Sequence, residues 1–536
     1  MRKHAVLISL IFTIIFGGIY YYAFYPALNI HNAEFWFYAL MLIVVFSVLK
    51  GILSFGIKKI EIISNHKKYI VGKNKFSLFF LVPLCIIAIL VINFILSPLF
   101  CSKSYYKRIK IDTDSEFSED VHEADFNKMP LLDRDSSEKL GDRTMGQMSE
   151  LVSQFDVSTM YTQINYNDEI IRVTPLEYNG VIKWFTNRKT GIKGYITVNS
   201  TTGKSKLVKL DKGMRYAPSG LFNENLYRKL QLSYPTKNIE AVNFEIDNKG
   251  HPYWIASTVK YVGVGLRRDV EGVIIFNPID GTSKYYDVKE VPSWVDHVYE
   301  ADLILEQVND WGQYKNGFIN SLISQKNVVK VTRGYNYLAQ DNDVYLYTGI
   351  TSVIGDESNV GFILTNMRTK ETKFYSVAGA EEYSAMESAK GQVQEKNYNS
   401  TFPLLINLNG NPTYLISLKD NAGLVKMYAF VDVVDYQKVV VTNSSQGIEK
   451  AAEAYLSEDG SDTSGDKEKT IIVNDITNAT IEGNTYYYFR DDEGQKYKAN
   501  IKISKNRLPF VSNGDTIIIK YSKEADVINI IDIKYE

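Results

Sequence analysis

Few side chains after the first hundred residues have the types and spacing that catalysis requires. Ser136 and Lys139 match the S-x-x-K spacing in which a lysine activates a serine for acyl transfer, and Lys189, Thr190 and Gly191 match the K-T-G element of the same chemistry. Only about 50 residues separate the two motifs, too few for the helical domain that such a site needs between them. The S-x-N element is also missing, so we expect no acyl-enzyme site.

The histidines of this region offer metal or acid–base chemistry at His122, His251 and His297. A metal site needs two or three such residues converging, and no such group is visible in the sequence. We therefore interpret them as surface or capped side chains. The acidic tract 459–466 lacks EF-hand spacing, and GVGLRR (263–268) lacks the third glycine and the βαβ setting of a dinucleotide loop. The sequence thus predicts no catalytic residue, no metal ligand and no cofactor.

Three apolar runs occupy residues 1–100, at about 5–25, 35–57 and 77–99. Each approaches or exceeds the roughly 20 residues that cross a hydrocarbon core of about 30 Å. The first run starts with MRKH, as a signal peptide would, but its apolar stretch is too long and no A-x-A site follows. We therefore predict a signal anchor and three transmembrane helices.

The basic residues of the short loops predict the orientation of these helices. The loop between the first two runs has no lysine or arginine, whereas 58–75 has six lysines. By the positive-inside rule, the N-terminus and 58–75 are cytoplasmic, and residues from about 101 onward are extracytoplasmic at the plasma membrane. The basic residues at 103–110 oppose this orientation.

Lys50 is the only charged residue within the three runs. It could mark an ion path, but no acidic residue in any run could pair with it, so we favour a lysine that snorkels toward the cytoplasmic surface. Cys85 and Cys101 lie in or beside the third run, which leaves the region after Cys101 without disulfides. A poor lipobox before Cys101 argues against lipidation.

One hairpin template occurs three times without a gap, at 194–210, 272–288 and 361–377. It aligns a glycine, an asparagine five residues later and a turn residue four further on: Gly194, Asn199 and Gly203; Gly272, Asn277 and Gly281; Gly361, Asn366 and Lys370. Glycine and asparagine both tolerate positive φ, which favours a tight turn. A weaker fourth copy at 427–441 has Asp432 in the asparagine position.

A second element, G-x-P-x-[WY], precedes two of these hairpins at Gly250–Trp254 and Gly410–Tyr414. Helical patterns are found at 136–155, 223–232, 293–314, 380–394 and 446–458. The unit is therefore a helix and two hairpins, repeated about every 65–90 residues over 136–458. The acidic, aperiodic segment before it leads us to expect a juxtamembrane linker at 101–135.

The motif [WY]-[IL] followed by G-[YVF]-I-x-x-N-x-x-[TD]-G resembles PepSY-type repeats over about residues 160–445. The whole chain also resembles multi-span membrane proteins of Firmicutes. The resemblance implies exported α+β modules that restrain proteases or contact other envelope proteins, and it brings no catalytic residues.

After a polar linker at 459–469, the segment 470–536 contains five β-patterned runs and no helical pattern. This predicts a small barrel, and NGDTIIIKY (513–521) resembles a late strand of OB-fold modules. Tyrosines could stack on bases, but residues 467–536 contain 11 basic and 11 acidic side chains. A neutral module is a poor nucleic-acid binder, so we expect core tyrosines, or a peptide or glycan contact.

These observations predict a membrane-anchored α+β protein with PepSY-like repeats and an OB-like module. Net charge of −2 favours no polyanionic partner. We expect a non-catalytic binding or scaffold protein of the bacterial envelope that contacts proteins or peptidoglycan. The alternative is a regulator of an envelope protease, or an envelope enzyme with an unrecognised active site. A transporter is disfavoured because the spans contain one ionisable residue.

Overall fold

The computed structural model describes residues 2–64, 78–353, 358–459, 467–481, 484–504, 507–521, 527–530 and 532–535. The helices are α1 (Arg2–Phe24), α2 (Ala33–Ser64), α3 (Leu81–Ile95), α4 (Pro98–Tyr106), α5 (Phe117–Asp120), α6 (Arg134–Gly146), α7 (Ser149–Val152), α8 (Gly180–Asn187), α9 (Leu226–Ser233), α10 (Ala301–Tyr314), α11 (Phe318–Leu322), α12 (Glu382–Gly391) and α13 (Ile448–Asp459).

The strands before residue 300 are β1 (Ile111–Asp112), β2 (Phe155–Val157), β3 (Thr162–Tyr166), β4 (Glu169–Tyr178), β5 (Ile192–Asn199), β6 (Ser205–Met214), β7 (Asn238–Ile246), β8 (Pro252–Val262), β9 (Leu266–Phe276) and β10 (Ser283–Asp287). The later strands are β11 (Val329–Val331), β12 (Asn336–Gln340), β13 (Asp343–Ser352), β14 (Ser358–Asn366), β15 (Thr372–Tyr375), β16 (Gly379–Ala380), β17 (Asn399–Ser400), β18 (Leu404–Leu408), β19 (Asn411–Lys419), β20 (Val425–Asp432), β21 (Val439–Asn443), β22 (Lys467–Ile472), β23 (Asn474–Ile481), β24 (Asn484–Arg490), β25 (Lys496–Asn500), β26 (Thr516–Tyr521), β27 (Val527–Asn529) and β28 (Asp532–Tyr535).

Three N-terminal helical segments are long and apolar enough to cross a membrane: His4–Phe24, Ala33–Leu53 and Leu78–Ile95. They coincide with the three predicted runs. Helix α2 continues beyond its apolar part to Ser64, so the start of the predicted loop at 58 is helical. The rest of that loop, 65–77, lies outside the described residues.

The chain is a mixed α+β protein in which a helix followed by an antiparallel sheet recurs. Strands β3–β6, β7–β10 and β12–β15 form three four-stranded meanders, and β18 and β19 begin a fourth. In the first, third and fourth, an additional short strand (β2, β11 or β17) pairs with the same partner as the first hairpin strand. Repeat 2 instead has the continuous strand β7, with a bulge between Ile239 and Ala241. Repeats 1 to 4 denote these sheets with the helices that precede them.

The turn of the repeated hairpin has the same geometry in all three aligned copies. The residue four after the asparagine has positive φ, at 72° in Gly203, 79° in Gly281 and 65° in Lys370. Its N–H donates to the asparagine carbonyl at 2.9, 3.0 and 2.9 Å, respectively. The fourth copy keeps the side-chain part of the turn, because Asp432 Oδ1 accepts from the N–H groups of Val434 and Asp435 at 2.8 Å.

The leading glycine of the template also has one role in all three copies. A Cβ at Gly194, Gly272 or Gly361 would meet the carbonyl oxygen fourteen residues later, on the facing strand. The template therefore preserves a close backbone approach as well as a turn.

Adjacent repeats share cores because their sheets stack. In repeat 2, Trp254 and Phe276 face the core shared with repeat 1. The alternate residues Ile255 and Ile275 face the core shared with α10 and repeat 3. Since side chains of a strand alternate between its two faces, this central sheet is buried on both sides.

The segment 111–135, expected to be a linker, is packed among the repeats. Strand β1 pairs in parallel with β15 of repeat 3. The N–H of Ala124 donates to the Asn407 carbonyl of repeat 4 at 2.9 Å, and the N–H of Leu132 donates to the Ser200 carbonyl of repeat 1 at 2.9 Å. Phe117 and Val121 of this segment are buried, but the acidic residues around them made the sequence resemble an exposed linker.

The chain divides into two compact units, 1–427 with 431–438, and 428–430 with 439–536. In the second unit, the order β22–β26–β28 forms one sheet and β23–β24–β25–β27 another. Side chains from both sheets meet in one core, which includes Tyr487, Phe489 and Tyr497. Short 3₁₀ turns at Ile501–Ser504 and Leu508–Phe510 join these strands.

Candidate functional site

The serine and lysine of the S-x-x-K motif lie side by side on α6 but bind main-chain carbonyls. Ser136 Oγ donates to the Gly423 carbonyl at 3.1 Å, and Lys139 Nζ donates to the Ala422 carbonyl at 3.0 Å. These contacts join the first repeat to the β19–β20 turn of the fourth. The motif is thus used for packing, and Lys189 lies beyond the end of α8.

The three histidines lie in different environments. His251 is exposed and contacts Asp247 through Nδ1 at 3.0 Å, while exposed His122 lies 3.9 Å from Asp341. His297 is buried, so it is not a surface residue, although its ring has a main-chain hydrogen-bond partner. The helix predicted from residue 293 begins only at Ala301, and His297 belongs to the irregular segment before it.

A buried acidic cluster surrounds His297. Both carboxylate oxygens of Glu245 accept main-chain N–H groups, from Asp296 at 2.9 Å and from His297 at 3.0 Å. Asp296 Oδ2 accepts the N–H of Asn165 at 2.8 Å, and the His297 ring contacts the Gln163 carbonyl through Nε2 at 2.7 Å. The cluster therefore connects strands of the first two repeats with the segment that enters the third.

Burial determines the electrostatics of this cluster. It raises the pKa of Glu245 and raises the pKa of Asp296 well above its ordinary value, with the neighbouring Glu245 charge adding to the second shift. Two carboxyl groups beside an imidazole could in principle transfer protons. Glu245, Asp296 and His297 are, however, at most 4% exposed, which leaves no path for a substrate. We interpret the cluster as a structural joint.

One cavity is a groove of about 420 Å³ on repeat 3. Its lining residues come from the end of α10, the segment 325–329 and the sheet: Trp311, Gly312, Lys315, Gln325, Lys326, Asn327, Val328, Val329, Ile350, Ser352, Val360 and Phe374. The rings of Trp311 and Phe374 lie 6.1 Å apart. At Gly312, a Cβ would meet the Val329 main chain, so glycine lets the segment approach the helix.

Two lysines give the groove its charge. Lys315 and Lys326 are exposed beside the aromatic side chains, and the sequence from 311 to 340 contains no acidic residue. The arrangement can hold an extended, partly apolar ligand that carries negative charge. Sequence reasoning missed this groove. Two sequence features could have indicated it: the stretch 311–340 without acidic residues, and Trp311 near the end of a helical pattern.

A polar junction connects the apolar helices to the folded region. Asn93 of α3 accepts the Val264 N–H through Oδ1 and donates to the Val264 carbonyl through Nδ2, both at 2.9 Å. The His31 carbonyl accepts the Gly265 N–H at 2.9 Å, and the His31 ring contacts the Gly263 carbonyl at 2.7 Å. The GVG sequence at 263–265 is therefore a hairpin tip that contacts α3 and the loop between α1 and α2.

Among the described residues, no group of three or more His, Cys, Asp or Glu side chains is arranged to hold a metal ion. The most prominent features are thus the groove, the buried joint and the polar junction.

Comparison of the chain with protein-family models gives no match, and neither does comparison with curated proteins.

Proposed function

We propose that this protein is a membrane-anchored binding or scaffold protein of the bacterial envelope, which contacts other envelope proteins or wall components and performs no catalysis. The groove of repeat 3 carries the proposal. Two aromatic side chains, Trp311 and Phe374, line it beside two exposed lysines, which suits recognition more than bond cleavage.

The groove favours an anionic, extended partner. Lys315 and Lys326 can pair with carboxylate or phosphate groups, and Trp311 and Phe374 can pack on apolar parts of the same ligand. An acidic segment of an envelope protein and a wall polymer both have this chemistry.

We also propose that the repeats are PepSY-like modules and that the terminal module is OB-like. A helix followed by a four-stranded antiparallel sheet, repeated along the chain, supports PepSY-like modules. Two small sheets around one core support an OB-like terminal module. Likeness to Firmicute membrane proteins remains part of the proposal.

We also propose that the folded region is extracytoplasmic. The Leu28 N–H donates to the Pro235 carbonyl at 2.7 Å, and Asn29 Nδ2 donates to the Thr236 carbonyl at 3.0 Å. These hydrogen bonds support the proposal that the α1–α2 loop and the folded region lie on the same side of the membrane. The six lysines of 58–75 would then lie on the other, cytoplasmic side.

Site-specific photo-crosslinking in intact cells tests the binding proposal. A photoreactive residue replacing Lys326 should capture an envelope protein or wall fragment, and the same residue at exposed Lys193 of β5 should not. Charge reversal at Lys315 should reduce capture at position 326. Equal capture at both positions would contradict the groove as the binding site.

Hydrolase assays on the purified full-length protein address the enzyme alternative. We expect no turnover of casein or peptidoglycan. Reproducible turnover would favour the enzyme, and capture of a protease at position 326 with altered protease activity would favour the regulator.

A further inference from the structure

The short helix α8 presents apolar side chains where a surface helix normally presents polar ones. Val181, Ile182 and Phe185 are 65%, 75% and 67% exposed, whereas Trp184 faces the core. Phe222 is also 63% exposed, and its ring lies 5.9 Å from that of Trp184. These four exposed side chains form one patch, here called the α8 patch.

The α8 patch lies at the end of the first apolar helix. Tyr22 Oη donates to Asn223 Oδ1 at 2.9 Å, and Asn223 directly follows Phe222. Arg228 Nε donates to the Tyr22 carbonyl at 2.9 Å, and the Arg228 guanidinium lies 4.8 Å from the centre of the Tyr22 ring. Since the apolar segment of α1 ends at Phe24, these contacts hold the patch near the level at which α1 leaves the hydrocarbon core.

A second exposed apolar patch follows the third apolar helix. Ile319, Leu322 and Ile323 are 69%, 63% and 80% exposed. Helix α11, which carries the first two, contacts α4, and α4 starts three residues after α3 ends. This set is here called the α11 patch.

The charge around α8 suits a lipid surface. Lys183, Arg188 and Lys189 accompany the patch, and the sequence from 178 to 210 contains no acidic residue. Arg188 lies over the Trp184 ring at 5.2 Å. Apolar and aromatic side chains next to basic ones are typical of helices that lie in the membrane interface, where apolar groups enter the acyl boundary and basic groups meet anionic headgroups.

We propose that the α8 and α11 patches rest in the interfacial layer of the bilayer, so that the folded region lies on the membrane rather than projecting from it. The inference presupposes that the three apolar helices cross the bilayer. It adds a lipid-binding surface beyond the three apolar helices; the α8 patch shares no residue with the groove, and the α11 patch lies next to it. Continuity with the ends of α1 and α3 selects lipid over a second protein as the occupant.

A photoactivatable lipid tests this surface on the unmodified protein. The full-length chain would be reconstituted at one molecule per nanodisc, in phosphatidylcholine containing phosphatidylglycerol and a lipid with a diazirine near its headgroup. After irradiation, mass spectrometry should locate adducts at 181–185, 222 and 319–323. Leu424, Val434 and Tyr436, which are 48%, 69% and 43% exposed, are matched controls and should carry several-fold fewer adducts.

A variant separates direct lipid contact from general labelling. The double substitution Ile182→Asp and Phe185→Asp should reduce adducts in α8 several-fold and leave those at 319–323 unchanged. Because both side chains are exposed, the variant should unfold at the same temperature as the parent protein. Equal adduct density in the patches and the controls, or unchanged adducts in the variant, would overturn the proposal.

Discussion

At the scale of single residues, the repeated hairpins show why a short motif can persist while its surroundings change. The Asn199 side chain accepts the N–H groups of Thr201 and Thr202, and Asn366 accepts those of Arg368 and Thr369. Such asparagine turns hold the backbone locally, so the position four residues after the asparagine can be glycine or lysine. In the third copy, Lys370 has a positive φ, and its ammonium group forms an ion pair with Asp269 at 2.6 Å.

The two turn glycines should respond differently to alanine. A Cβ at Gly203 would be 3.4 Å from its nearest neighbour, Leu132, whereas a Cβ at Gly281 would be 2.6 Å from the Tyr216 ring. Gly203→Ala should therefore lower the free energy of unfolding by about 1 kcal/mol through the positive φ alone, and Gly281→Ala by about 2 kcal/mol. Thermal unfolding followed by circular dichroism measures both. Gly146→Ala in α6 is the control and should not destabilise; equal losses at the two turn sites would contradict the steric argument.

The buried carboxyl of Asp296 should make stability depend on pH. Its folded-state pKa lies well above the ordinary value of 3.8, so the folded protein retains a proton that the unfolded chain releases. Stability should therefore fall as pH rises from about 4 through the raised pKa. Asp296→Asn retains an oxygen to accept the Asn165 N–H and removes this titration.

The measurement is the unfolding temperature in detergent at about pH 5.5 and about pH 8. The decrease between the two should be smaller in Asp296→Asn than in the parent protein. Asp211→Asn, at an exposed site in β6, should behave like the parent. A parallel decrease in all three proteins would show that Asp296 does not titrate as argued.

At the scale of elements, the β8–β9 hairpin connects the repeats to the three apolar helices. Its tip uses Gly263 and Gly265, with φ of 69° and 73°, to turn its main-chain groups toward Asn93 and His31. An amide in an otherwise apolar helix is costly in lipid unless it is paired, and the tip pairs both of its polar atoms.

Replacing Asn93 should therefore release the tip without unfolding the repeats. In Asn93→Leu, the Val264 amide should exchange with deuterium at least several-fold faster, because its acceptor is gone. Hydrogen–deuterium exchange of the detergent-solubilised chain, read for peptides covering 260–268, provides the measurement. Val91→Leu, at a half-exposed position of the same helix, should leave the exchange unchanged. Protection of 260–268 in Asn93→Leu equal to that of the parent would exclude this docking role.

At the scale of the whole molecule, the first unit is joined by contacts that are distant in sequence. The segment 111–135 binds repeats 3, 4 and 1 in turn, and the Asp133–Lys419 ion pair adds to the contact between α6 and the fourth repeat. Such contacts give a repeat array links beyond those between neighbouring repeats. The orientation of the chain in the membrane is also a property of the whole molecule. We predict that the lysine-rich loop 58–75 lies on the cytoplasmic side and the second unit on the outer side.

Single cysteines should report the orientation. In a Cys85→Ser, Cys101→Ser background, Asn443→Cys should react with a membrane-impermeant maleimide in intact cells. Asn65→Cys should react only after the membrane is permeabilised. Labelling of position 65 alone in intact cells would reverse the orientation and place the groove in the cytoplasm.

Local patterns in the sequence were enough to predict the apolar helices, the repeat unit and its turns. Apolar length, glycine and asparagine spacing, and strand alternation act within a few residues, so they can be recognised without a fold. The positive φ at Gly203, Gly281 and Lys370 and the cross-strand approach at Gly194, Gly272 and Gly361 confirm the alignment.

The tertiary structure alone decided which polar residues meet. Ser136 and Lys139 donate hydrogen bonds to carbonyl groups 283 or more residues away in sequence. His297 is buried because stacked sheets pack around Glu245 and Asp296. The groove needs α10, the segment 325–329 and the sheet of repeat 3 at once. No short pattern encodes such an arrangement, since packing between elements sets which side chains are buried and which remain exposed.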